Sequence, residues 1–223
     1  MRHTDAVGKV KLTDAFTSEG SQGVQRTPRF RNFLRRATRV EHAAAENSAV
    51  MRALFNKQLG QTGYVNLLEG YHSLYSSWEK RYAIWLHGIH EADGWFYKTR
   101  LRAIEYDLRA LGAQPRNESS DLIWSALDTL DTPQTTHTAW GSLYVIEGSA
   151  LGGQIIARKL NVEFPAMQHR FFFIGCEAER STWKDFQCLL GDQLHSADSR
   201  RAIALQARVT FGIFQHMLDG VRR

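Results

Sequence analysis

Over residues 62–87, apolar and aromatic side chains return every three or four positions: Tyr64, Leu67, Leu68, Tyr71, Leu74, Tyr75, Trp78 and Tyr82. That is the period of an α-helix, and a helix with one long continuous apolar stripe must lay it against other helices. The same signature recurs along the chain. Phe30, Phe33, Leu34, Ala37, Ala44 and Met51 predict a first amphipathic helix over about 29–55. Further helices are predicted over about 95–111, with Gly112 as the stop, and over 118–130. Thr132-Pro133, a capping side chain ahead of a proline suited to a first helical position, opens another that runs to about Leu160. Two more are predicted over 178–194 and 198–219. No alternating run bounded by turn residues competes. The expected fold class is all-α, a multi-helix bundle of the kind that holds ligands between facing helices.

Composition narrows the class. A chain of 223 residues is one domain, and 43% hydrophobic with 11% aromatic residues can bury a sizeable core. Residues 1–28 have no sustained apolar period and read as a mobile N-terminal arm, or as an extension with no role; 29–223 form the helical domain. Two cysteines, Cys176 and Cys188, make neither a disulfide framework nor a structural zinc site. The longest apolar runs fall far short of a membrane span, and the N-terminus lacks the apolar stretch of a secretory signal, so a cytoplasmic protein is expected. The net charge of +5 fits an anionic ligand or partner. Nucleic acid is not expected, because Arg29, Arg31, Arg35, Arg36 and Arg39 do not share one face.

Two stretches carry chemistry. In the first predicted helix, Arg35, Arg39, His42 and Glu46 follow at spacings of four, three and four and fall opposite the apolar stripe, with Thr38, Ala45 and Ala49 along their edge. A neutral imidazole is a good iron ligand, and a carboxylate one turn later can take the proton of the other ring nitrogen and fix the tautomer. Two arginines one and two turns earlier can hold the carboxylates of a flat ligand, for which the alanines leave room. A solvated charged face is the plain alternative.

The second stretch is Trp140-Gly141-Ser142-Leu143-Tyr144-Val145-Ile146-Glu147-Gly148-Ser149-Ala150-Leu151-Gly152-Gly153-Gln154. Each interior glycine costs a helix about 1 kcal/mol against alanine, and Gly148, Gly152 and Gly153 lie within six residues. A phosphate loop is excluded because Gln154 and Ile155 stand where lysine and serine or threonine are needed. Two uses remain open: close helix packing, or a backbone surface laid against a flat ligand. Glu147 reads as a structural partner, and His87, His90 and Glu91 as surface residues, their spacing matching no metalloprotease motif.

Together these stretches resemble the heme oxygenase family. Leu34 to Asn47, with its L-x-x-A-T-x-x-x-H run and H-x-x-x-E-N ending, is similar to that family's proximal helix, and Gly148 to Gln154 is similar to its distal helix. The resemblance covers about Phe33 to Leu160. It implies a heme-oxygenase-like helical domain over 29–223, with heme between the proximal and distal helices. It makes His42 the iron ligand and Glu46 its neighbour, and puts Gly148, Ser149 and Gly152 over the reacting face, with Ala45 and Gly153 against the macrocycle. Arg35, Arg39 and Lys184 fall to the heme propionates, and Phe211 and Phe214 to the pocket wall. One departure is visible: animal members carry an aspartate after the first distal glycine, and here the position is Ser149; the stretch looks more like that of bacterial members, including those associated with bacterial phytochromes, which also lack this aspartate.

The implied activity is cleavage of heme b, both substrate and cofactor, to biliverdin, iron and carbon monoxide. It consumes O2 and electrons from an external reductase or ferredoxin, and a bilin-accepting phytochrome is a further expected partner. A heme carrier or sensor with the same fold is the alternative.

Overall fold

In the computed structural model, residues 28–115, 136–173 and 180–221 are described. Among them are eight helices and no strand: α1 (Pro28–Ala37), α2 (Arg39–Glu46), α3 (Ala49–Phe55), α4 (Gly60–Asp93), α5 (Leu101–Ala110), α6 (Thr136–Glu163), α7 (Arg180–Gln193) and α8 (Ala197–Gly220). The predicted arm, the 118–130 helix, the Thr132-Pro133 start and Cys176 lie outside the described residues. No helix among the described residues is long and apolar enough to cross a membrane.

The frame is α4, α6 and α8, and α6 and α8 pack along the most extensive seam. Their closeness has a cause in the sequence. A Cβ on Gly141 would lie 2.6 Å from the carbonyl oxygen of Ile203, so only glycine fits between the two backbones. One turn of small polar residues completes the seam: Ser142 Oγ sits 3.2 Å from Gln206 Nε2 and 3.1 Å from Thr210 Oγ1. The α4 stripe read from the sequence is core throughout, with Tyr64, Leu67, Leu68, Leu74, Tyr75 and Trp78 buried. Trp95 and Trp140 are buried as well, whereas His87 and Glu91 pair on the exposed surface.

Several boundaries differ from the sequence expectation, and α4 runs past position 87 to Asp93. The single helix predicted over 29–55 is three helices. Thr38, buried, turns its hydroxyl back to the carbonyl of Leu34 at 2.9 Å and leaves helical geometry at φ −106°, ψ 8°. Ser48 then takes ψ 156°, and α3 restarts in a new direction. The helix predicted from Trp95 begins only at Leu101. The Glu79 carboxylate draws the intervening strap onto α4, accepting from Tyr97 Oη (2.9 Å), Thr99 Oγ1 (2.6 Å) and the Arg100 amide (2.8 Å). Gly94, at φ +68°, makes the left-handed turn that ends α4. At its start α8 has a capping box between Ser196 and Ser199 (2.9 and 3.1 Å).

A polar cluster ties α4 and α5 to the segment 164–173. Tyr64 donates to His169 Nδ1 (2.9 Å), and His169 Nε2 donates to the carbonyl of Phe164 (3.2 Å). The carbonyl can only accept, so this pair fixes a neutral Nε2–H tautomer. Burial holds the His169 imidazole below its usual range, against an opposing push from the Phe164 carbonyl and Asp107. The unfolded chain therefore binds this proton more tightly than the folded one. The resulting stability is complete above about pH 6.5 and is lost as pH falls through the lower folded value. Urea midpoints measured from pH 7.5 to 5 should fall for the parent and fall less for His169→Gln.

Candidate active site

A single cleft gathers most of the residues singled out by the sequence. It lies between α2, α4, α6 and α8, is closed by Phe171, Phe172 and Trp183, and encloses about 1160 Å³ of atom-free space counting its open mouth. His42, Ala45 and Glu46 reach it from α2; Gly148, Ser149, Gly152 and Gly153 from α6; Phe211 and Phe214 from α8. Arg35, Arg39 and Lys184 are exposed and do not line it. Arg35 acts at its edge, where its charge pulls against the burial that lifts the Tyr144 phenol, a lining group.

On the α2 side, His42 Nδ1 lies 3.4 Å from Glu46 Oε1. That carboxylate oxygen is shielded from solvent and has no hydrogen-bond partner. An orphaned carboxylate oxygen beside an imidazole costs free energy until a proton is placed between them. A neutral ring carrying its hydrogen on Nδ1 supplies that proton and leaves the Nε2 lone pair for a metal. The Phe211 ring meets the imidazole edge-on, with centroids 5.2 Å apart and planes at 74°. The arrangement fits an iron macrocycle: one imidazole, its partner carboxylate, and aromatic walls.

The glycines of α6 divide into two kinds. A Cβ on Gly152 would meet nothing within 4 Å, and one on Gly148 only the Trp183 ring edge at 3.8 Å, so at both the missing side chain opens the cleft. A Cβ on Gly153 would stand 2.3 Å from the carbonyl oxygen of Phe172. Gly153 is thus required by the close approach of the 164–173 segment, although it also lines the cleft. The glycine run serves close packing at one position and leaves open space at two others.

The polar part of this side was only partly legible. Arg100, 3% exposed, lines the cleft and donates to Glu147 Oε1 at 2.8 Å. Burial opposes its charge, but Glu147, Tyr97, Tyr75 and Glu79 hold the guanidinium firmly protonated. Glu147 is thereby a structural partner, as its place in an apolar helix suggested, whereas nothing in the sequence marks Arg100. Burial pushes the Tyr75 phenol up to about 12, against the opposing pull of Arg100 and of the Ser149 hydroxyl. Ser149 Oγ donates to the Ile146 carbonyl (2.8 Å). Tyr71, Tyr75 and Tyr144 lie on helical stripes that read equally well as core, so their place in the cleft could not be told from the sequence.

An all-helical bundle with an imidazole–carboxylate pair and bare helix backbone converging on one aromatic cleft defines a protein built around a planar metal macrocycle. Comparison with known proteins agrees. The heme oxygenase family model matches residues 29–220. The heme oxygenase of Xanthomonas campestris pv. campestris is 32% identical over 176 residues, covering 78% of this chain and 99% of that protein. The heme oxygenase of Leptospira interrogans has the same fold, with a TM-score of 0.70 at 20% identity over 85% of this chain and 98% of that one. Heme oxygenase-1 of Synechocystis sp. PCC 6803, solved in complex with heme, gives a TM-score of 0.69 at 15% identity over 85% and 90% of the two chains. The chain belongs to the heme oxygenase family and is a heme-degrading enzyme.

Proposed function

We propose that the chain binds heme b between α2 and α6 and, with O2 and electrons from a separate reductase or ferredoxin, cleaves it to biliverdin, iron and carbon monoxide in the cytoplasm. The observation that carries this reading is the convergence of His42, Glu46, Gly148 and Gly152 on one aromatic-lined cleft. When bound, heme supplies the iron centre for oxygen chemistry and the macrocycle that is cut. His42 Nε2 holds the iron, and Glu46 keeps the Nδ1 proton in place. Ala45, Gly153, Phe211 and Phe214 press on the ring faces and exclude water. Arg35, Arg39 and Lys184, exposed at the surface, pair with the propionates and set the rotation of the ring.

Gly148 and Gly152 leave open backbone on the reacting side. There the Ser149 and Tyr75 hydroxyls line the cleft together with the Arg100 charge, in place of the carboxylate of animal members. With its phenol at about 12, Tyr75 stays protonated at neutral pH and keeps a proton to donate. A bilin-accepting phytochrome is the natural recipient of the product.

The test is an anaerobic hemin titration, followed by ascorbate and air and by chromatography of the pigment. The expected result is a shifted Soret band saturating at one equivalent, then its loss with growth of a biliverdin band. A Soret band that survives reductant and air supports the carrier or sensor reading instead. Hemin left spectrally as it is in buffer defeats both.

A further inference from the structure

The far wall of the cleft is hung on a buried polar clamp that never touches the cleft itself. Asp107, on α5 and fully buried, accepts hydrogen bonds from two successive backbone amides, those of Arg170 and Phe171, both at 2.9 Å. His169, just before them, is also fully buried and takes the left-handed φ of +47°. Its ring is fixed on both sides, by the Tyr64 hydroxyl and the Phe164 carbonyl. Phe171 and Phe172 line the cleft, while Asp107, Tyr64 and His169 do not. The Phe171 ring packs 4.8 Å from Tyr71 and 5.8 Å from Tyr75, both of them lining residues. On the other side the Phe172 carbonyl is wedged against Gly153.

The segment therefore has little freedom along either axis. Asp107 holds its amides, Tyr64 and His169 hold its entry, and α6 blocks its advance. The lining it presents is aromatic and offers a ligand no hydrogen bond from either phenyl ring. A flat ligand against this wall is seated by shape, and small displacements of the two rings change which of its edges fits.

We propose that Asp107 is a positioning residue that, through the Arg170–Phe171 amides and the rings of Phe171 and Phe172, biases the in-plane seating of the macrocycle beyond what the propionate pairs set, and hence which of its edges is cut. The inference rests on the heme-cleaving function proposed above. Asp107 touches no substrate; it acts only through the wall it anchors.

Asp107→Asn keeps shape and one carbonyl acceptor but turns the second oxygen into an amide donor facing a backbone N–H. Tyr64→Phe keeps the aromatic packing and releases His169. Each is compared with the parent by hemin titration, by proton NMR of the cyanide complex, whose shifted methyl signals report seating, and by chromatography of the biliverdin isomers. Both variants should bind hemin within about twofold of the parent. Both should raise the population of the minor seating by about fivefold, the ratio that one lost hydrogen bond supports, and the isomer ratio should move in parallel. Folded variants that lower only the unfolding midpoint, with parental methyl pattern and isomer ratio, overturn the proposal. If Asp107→Asn does not fold, Tyr64→Phe decides by the same readouts. A parent that fails to bind hemin counts against the functional reading instead, so the two failures are distinguishable.

Discussion

His42→Ala should bind hemin at least about 100-fold more weakly than the parent, a loss of about 2.8 kcal/mol, and should show no measurable turnover, while keeping its helical circular dichroism. The fold survives because the side chain contributes almost nothing to the core. It is about a third exposed, and α2 has no fully buried residue. Truncation to alanine takes away the imidazole's packing on the edge of Phe211, worth about 1 kcal/mol at most. Glu46→Gln should be intermediate, about tenfold weaker in hemin affinity, since it exchanges the charged acceptor that orients the ring for a weaker amide oxygen and leaves the ligand itself in place. Free imidazole should restore the Soret band of His42→Ala in part, because it refills the coordination position. A His42→Ala protein with parental Soret titration and turnover would remove the imidazole from the iron-binding role.

The two adjacent glycines of α6 should respond to the same substitution with opposite signs. Gly152→Ala adds a methyl that meets no atom, so the helix gains about 1 kcal/mol of propensity and the melting temperature rises by about 2–4 °C. The methyl stands in the cleft, and turnover should drop about tenfold, the equivalent of about 1.4 kcal/mol in the barrier. Gly153→Ala drives a carbon into the Phe172 carbonyl. Backbone must move, at a cost of about 1–3 kcal/mol, and the melting temperature should fall. Thermal denaturation of the hemin-free proteins and steady-state turnover of the loaded ones measure the pair. Equal destabilisation by both substitutions would contradict the division of labour between packing and ligand space.

Helix periodicity carried the bundle into view because α4, α6 and α8 bury whole stripes, and burial is what sets the three-and-four spacing. It failed at Thr38 and Ser48, where periodicity continues across two breaks. Those breaks are made by one hydroxyl turning back on a carbonyl and by one extended ψ angle, and neither leaves a mark on hydropathy. His42, Glu46 and the glycines were legible because an imidazole and a carboxylate four apart, and interior glycines in a helix, are unusual choices. Arg100 was not, since a buried cation looks like any surface arginine until its partner Glu147, 47 positions away, is brought beside it. Phe171 and Phe172 were equally silent: two apolar residues in an apolar run carry no sign that they line a cleft, and the partners of their segment, Asp107 and Gly153, lie far from them in the chain.

The division of the first predicted helix has a mechanical meaning. The segment that carries the imidazole is a lever eight residues long with a joint at each end, at Thr38 and at Asn47–Ser48. Its fastening to the frame includes a pair between the largely covered Glu41 carboxylate and the half-exposed Arg208 of α8. The jaw of the cleft is therefore a separate short element seated on α8, whose direction is set by its two joints and not by the helices before and after it.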